Sequence, residues 1–167
     1  AYILEETGAE KVAYIGHSMG GHVATAYIGT HGQAALSALV IVGSPMDFRN
    51  LEPRFKLSRI GAFWGSSLPS LPSPWAARQA ARLKRLPFSM DSLFFAEGSL
   101  DSATRKEMYR TVVSPLSRGE LRHYRRILRE GELVSYDGQF HYNLVLNQLT
   151  TPLLVIGGSG DQVAPAP

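Results

Sequence analysis

The sequence predicts an α/β fold, a parallel sheet covered by helices and interrupted by a largely helical insertion. Short apolar, β-prone runs recur at 11–15, 36–42 and 152–156, each followed by glycine, as buried parallel strands require. The first two are joined by a stretch of helical spacing, which makes a βαβ unit of right-handed crossover. About 100 residues of different character separate the second run from the third, longer than a plain connection.

The elements follow in order. Residues 2–7 read as the last turns of a helix stopped by Gly8. Lys11-Val12-Ala13-Tyr14-Ile15 is the first strand. Residues 18–31 follow as a helix, with Val23, Ala24, Tyr27 and Ile28 on one face and Gly32 as its stop. The second strand, 36–42, ends at Gly43-Ser44-Pro45. The middle opens with a loop rich in proline and serine at 66–74. Amphipathic helices are expected at 75–86, 101–113 and 117–130, the second opened by Ser102 and separated from the third by Pro115. The last strand runs into Gly157-Gly158. The expected division is 1–47 and 149–167 for the core and 48–148 for a helical lid or cap. Ala1 is no initiator Met, and 161–167 follow directly on a strand, so both ends are expected to be cuts through a longer chain.

Composition narrows the function classes. The chain has 167 residues, 44% hydrophobic and 19% charged, which excludes a disordered chain. No run of 18 apolar residues is present, so no spanning helix is expected. Cysteine is absent, which excludes disulfides, thiolate metal sites and a cysteine nucleophile. Residues 48–148 hold 16 of the 17 Lys and Arg against 9 acids, a net +7. A solvated set of basic surface helices accounts for that, and so does a surface that meets anionic lipid or an anionic substrate. No nucleic-acid motif accompanies the charge. Compartment and oligomeric state stay open.

The chemistry centres on Gly16-His17-Ser18-Met19-Gly20-Gly21, a strand before it and a helix after it. That is the context of a G-x-S-x-G nucleophile elbow. The turn is tight, so Gly16 and Gly20 are expected to be small because their backbones nearly touch. Ser18 is the candidate nucleophile, thrust out at the C-terminal edge of the sheet. The Met19 backbone N–H, at the positive end of the helix, is a candidate oxyanion donor. No phosphate-loop pattern competes.

A serine needs a base. His17 is expected to pack beside the nucleophile as a pocket wall, His22 to point along the helix and His31 to suit the helix C-terminus. His123 and His141 fall in the insertion, where either could line a pocket. None is a convincing base. Asp161, in Gly157-Gly158-Ser159-Gly160-Asp161, is the candidate acid at the same sheet edge. Asp47 competes with it, or caps a loop or forms a hinge to the insertion. Phe63 and Trp64, with Phe55, Trp75, Phe88, Phe94 and Phe95, line an acyl pocket or fill the insertion's own core. No metal or organic cofactor is implied.

These residues resemble the α/β-hydrolase superfamily. Gly16-His17-Ser18-Met19-Gly20-Gly21 looks like its elbow after strand five. Thr151-Pro152-Leu153-Leu154-Val155-Ile156-Gly157-Gly158-Ser159-Gly160-Asp161 looks like its strand seven and acid loop. The insertion falls after strand six, where that family carries its lid. The resemblance implies a partial sheet of strands five to seven. It also implies a catalytic histidine beyond Pro167 and a second oxyanion donor before Ala1. The segments 6–12 and 43–48 are similar to the lipase-like and polyhydroxyalkanoate-synthase-like branch. That synthase carries cysteine at the position of Ser18, so serine here favours hydrolysis. The expected function is a serine hydrolase of carboxylic esters, with a small-molecule ester as partner, esters of lipophilic acyl chains included. Acyl transfer to another acceptor and a non-catalytic role remain as alternatives. Membrane-surface contact is expected through the basic insertion.

Overall fold

The computed structural model describes residues 2–49, 70–71, 98–111, 114–161 and 163–164. In chain order the elements are α1 (Tyr2–Thr7), β1 (Val12–His17), α2 (Met19–His31), β2 (Leu36–Val42), β3 (Ser70–Leu71), α3 (Ser102–Thr111), β4 (Leu116–Ser117), α4 (Arg118–Glu130), α5 (Asn143–Leu146) and β5 (Leu153–Ile156). Two compact units hold them, Ala1–Asn50 with Ile127–Pro167, and Leu51–Arg126.

The first unit is built on a parallel sheet of order β1-β2-β5. The register pairs His17 with Val42 and Val42 with Ile156. The three strands therefore end level, and everything that leaves their C-terminal ends meets at one rim. Glycines set the chain reversals. Gly8 and Gly32 take φ of 66° and 76°, and their N–H groups close onto Leu4 O and Ile28 O at 2.9 and 2.8 Å. Both are helix stops that a left-handed glycine provides without a Cβ penalty.

Helix α2 packs on the sheet through Gly21, Ala24, Thr25 and Ile28. Ala24 and Ile28 join Leu36, Leu39 and Ile41 in a core that Val12, Tyr14, Met46, Val145 and Leu149 extend. The face expected from the sequence shifts accordingly. Val23 and Tyr27 are exposed, because the buried line uses small residues that let the helix lie close to β2. Added Cβ atoms on Gly21 would meet Ser44 Cβ at 2.7 Å and Ile41 Cγ2 at 2.9 Å. Thr25 stays buried by donating to Gly21 O at 2.9 Å.

The outer strands are less covered than their composition suggested. All four residues of β5 are exposed, as is Ile15 of β1. Each strand has one hydrogen-bonded neighbour in this sheet, whereas the central β2 has two.

Residues 131–146 also pack in this unit. Phe48 N–H donates to Gly131 O at 2.9 Å and Asn143 Nδ2 to Met46 O at 2.9 Å, while Leu133 and Val134 are buried. The entry to β5 is held by Gln33. Its Oε1 accepts from Thr150 N, Thr151 N and Thr151 Oγ1 at 2.9, 2.8 and 2.9 Å, and its Nε2 donates to Gln148 O at 3.1 Å.

In the second unit, β3 pairs antiparallel with β4, and Tyr109 and Leu121 are buried. Asp101 caps α3. Its Oδ1 accepts from Ala103 N and Thr104 N at 2.8 and 3.0 Å, and the helix opens at Ser102 as expected. An aspartate one residue earlier reaches these amides better than a serine that is itself helical. Ser117 and Glu120 form a capping box on α4, with Glu120 N donating to Ser117 Oγ at 3.2 Å and Ser117 N to Glu120 Oε2 at 2.7 Å. The expected helix at 75–86 lies outside the described residues. No described helix is long and apolar enough to cross a membrane.

Candidate active site

Ser18 lies between β1 and α2 with φ 51° and ψ −117°. It is the non-glycine residue of positive φ among the described residues. Such a conformation costs of order 1–3 kcal/mol and persists only where the surroundings impose it. Three contacts impose it here. Ser18 N–H donates to Val42 O at 2.9 Å, which ties the turn to β2. Tyr14 Oη, from within β1, donates to Gly20 O at 3.0 Å. Gly16 lies so close beneath the first helical turn that a Cβ would come within 2.6 Å of the Gly20 carbonyl carbon.

The two glycines flanking Ser18 are not equivalent. Gly16 admits no side chain, whereas a Cβ on Gly20 would meet only Tyr14 Oη, at 3.7 Å. The second position that excludes a Cβ is Gly21. Sequence reading missed it, although its place in a Gly-Gly pair facing a strand was a packing signal.

The result is an exposed Ser18 side chain that makes no capping bond to its own helix. Met19 is the first residue of α2, at the positive end of the helix dipole.

Asp161 comes to the same rim. Its N–H donates to Gly158 O at 3.0 Å, and its Oδ1 accepts from Val163 N and Ala164 N at 2.8 and 2.9 Å. One carboxylate oxygen is thus pinned by two amides. The other, Oδ2, lies 3.4 Å from the point where a Cβ on Gly43 would stand, and His17 Nε2 lies 3.8 Å from that point. Gly43 follows β2 with φ 54° and donates to Ile156 O at 2.9 Å. A side chain there would fill the space between the carboxylate and the imidazole, so Gly43 joins the site, although its only local signal was as the glycine closing a strand. The level strand ends therefore bring His17, Ser18, Gly43 and Asp161 to one rim.

Asp47 is occupied elsewhere. Arg49 grips it through Nε and Nη2, the latter at 2.5 Å from Oδ2, and Arg49 N donates to Oδ1 at 2.8 Å. These bonds lower its pKa from 3.8 to about 2. Its acceptance of the Arg49 N–H fits the loop cap expected of it.

The other histidines in the sheet unit are also engaged. His22 Nε2 contacts Pro45 O at 2.7 Å, so it carries the proton, and the ring meets Phe48 edge-on. His31 stacks on Tyr27 with centroids 4.9 Å apart. His141 Nδ1 lies 3.1 Å from Glu132 Oε2. His123 belongs to the second unit. Phe63, Trp64 and the other aromatics expected to form an acyl pocket lie outside the described residues. A cleft of about 470 Å³ opens near the other end of α2, lined by Ile28, Gln33, Phe140 and His141 among the described residues; His17, Ser18, Met19 and Asp161 do not line it. No group of three potential metal ligands occurs among the described residues.

Comparison with known proteins agrees with this architecture. The family model for the alpha/beta hydrolase fold matches residues 1–166. No curated protein sequence matches the chain. Among solved structures, it is similar to a bromoperoxidase from Bacillus anthracis, with 17% identity and TM-score 0.58, covering 97% of this chain and 54% of that one. An esterase from Exiguobacterium antarcticum gives 19% identity and TM-score 0.57, covering 98% and 54%. A meta-cleavage product hydrolase from Pseudomonas fluorescens gives 18% and 0.55, covering 98% and 52%. The chain thus spans about half the length of these structures. At such identity the likeness is one of fold. Taken with the match along nearly the whole sequence, it means that the chain belongs to the α/β-hydrolase fold family.

Proposed function

We propose that the protein is a serine hydrolase acting on carboxylic esters through an acyl-enzyme on Ser18. The observation that carries this reading is the strained turn at Ser18, which leaves its hydroxyl exposed and uncapped at the rim where Asp161 is held. Strain at an exposed serine serves no packing purpose, and it is the arrangement that frees a hydroxyl for attack.

In this mechanism Ser18 attacks the ester carbonyl and gives its proton to an imidazole. The Oδ2 of Asp161 orients that imidazole and stabilises its charged form. The imidazole comes from outside the residues described at this rim. The Met19 N–H meets the tetrahedral oxyanion, a donor typically worth about 3 kcal/mol. Water then releases the acyl group. His17 forms one wall of the substrate site, and Phe63 and Trp64 are assigned to the acyl pocket. The similar esterase and hydrolase lend support at the level of fold, though fold does not fix chemistry.

Hydrolysis of p-nitrophenyl esters of increasing acyl length, with and without an added alcohol acceptor, tests the reading. We expect ester cleavage that disappears in Ser18→Ala and is not diverted by the alcohol. Cleavage that persists in Ser18→Ala overturns it, and product that forms only with the acceptor makes the enzyme an acyltransferase.

A further inference from the structure

Gly43 is the first residue past β2, the strand that lies between β1 and β5. β1 leads into Ser18 and β5 into the loop of Asp161. The central strand therefore ends between the two groups that a shared base has to touch. Gly8, Gly32 and Gly98 take φ of 66°, 76° and 78°, and a Cβ on any of them would meet nothing within 4 Å. Positive φ alone explains those three. Gly43 has φ 54°, but a Cβ on it would stand 3.4 Å from Asp161 Oδ2 and 3.8 Å from His17 Nε2. Of the two carboxylate oxygens, Oδ1 is taken by the amides of Val163 and Ala164. Among the described residues no donor reaches Oδ2. The Gly43 N–H donates to Ile156 O at 2.9 Å, which holds this bare backbone beside the free oxygen.

We propose that Gly43 is a positioning residue for the catalytic imidazole, which sits over its bare α-carbon and reaches Asp161 Oδ2 on one side and Ser18 on the other. The proposal rests on the hydrolase reading and adds to it where the base is seated. An imidazole N–H must come within about 2.7–3.2 Å of Oδ2, while its ring carbons pack no closer than about 3.5 Å to a methyl group. A methyl group on Gly43 would already stand 3.4 Å from Oδ2, so it would occupy the ground the ring needs. The imidazole would be pushed aside by about 1 Å, and a displacement of that size costs on the order of 100-fold in rate. His17, exposed and bordering the same gap, limits how far the ring can move to compensate.

Steady-state hydrolysis of p-nitrophenyl acetate and butyrate by the intact protein tests the proposal, with Gly43→Ala, Gly43→Asn and Gly32→Ala compared per folded molecule. Asn accepts positive φ more readily than Ala, so it fills the gap at a smaller backbone cost and stands in should Gly43→Ala not fold. Gly32→Ala carries the backbone cost in open space. We expect kcat to fall on the order of 100-fold in both Gly43 variants with KM little changed. Gly32→Ala should keep the parent rate although it loses thermal stability. In the Asp161→Asn background, Gly43→Ala should add little further loss, since both changes break one contact. Gly43 variants that keep the parent rate, an equal loss in Gly32→Ala, or full multiplication of the two losses in the double variant overturns the proposal and leaves the hydrolase reading standing. A parent that fails to cleave the esters, or cleaves them as well in Ser18→Ala, overturns both.

Discussion

At its C-terminal end, α2 closes through Gly32 in a left-handed turn, and Gln33 accepts three hydrogen bonds from Thr150 and Thr151. At its N-terminal end the same helix begins from Ser18, a serine held at φ 51° whose side chain caps nothing. One end uses glycine where positive φ is needed and satisfies its polar groups. The other places a side chain where glycine would be easier, and holds it there with Gly16 and Gly21 packed close around it. On the proposed reading, strain retained beside an exposed hydroxyl serves chemistry, whereas the relaxed end of the helix serves architecture.

The largest test of this contrast is at the strained end. Asp161→Asn keeps the amide bonds from Val163 and Ala164 available to an oxygen but removes the charge. Ester turnover should drop about 10⁴-fold while thermal unfolding moves little, as is typical when the orienting acid of a triad is neutralised. A variant that keeps its rate removes Asp161 from the mechanism.

Gly16→Ala and Gly20→Ala come next. The first should destabilise by about 3 kcal/mol, the top of the usual overpacking range, because its methyl group meets backbone rather than a movable side chain. The second should cost less than about 1 kcal/mol, since the nearest neighbour is at 3.7 Å and alanine favours the helix. Urea titration of both variants checks the asymmetry, and equal costs would erase it.

These glycines also show how far the sequence could be read. Apolar runs followed by glycine located β1, β2 and β5, and helical spacing with a glycine stop located α2, because local patterns specify local elements. Ser18 and Asp161 were legible because a motif and a strand-end loop announced them. The contacts at Gly43 and Gly21 were not, since they depend on how close two elements lie in space. Gln33 lies 117 residues from Thr150, and no local pattern points to such a partner. The helix start at Ser102 was legible, whereas its capping by Asp101 was not, since the reach of one carboxylate to two amides shows only in space.

At the relaxed end, Gln33→Ala should cost about 1–2 kcal/mol, since it strips an acceptor from two backbone amides and a hydroxyl at the start of β5. Turnover per folded molecule should stay as it was. A loss of rate at full folding would show that the two ends are coupled.

The smallest expected effect is at Asp47. Its folded pKa of about 2 lies below the ordinary 3.8 because Arg49 bonds to its charged form. A depressed carboxylate adds stability that is present above pH 4 and lost as pH falls through 2. The pair is exposed, so little stability is involved. Carboxyl NMR titration should place Asp47 near 2 in the parent and return it toward 3.8 in Arg49→Gln; an unchanged value would contradict the pairing.

Labelling with a fluorophosphonate probe, followed by peptide mapping, reaches the central claim most directly. One stable adduct is expected on Ser18, absent from Ser18→Ala and slower to form in Asp161→Asn. No adduct on Ser18 in the folded protein, or labelling undiminished in Ser18→Ala, would contradict it.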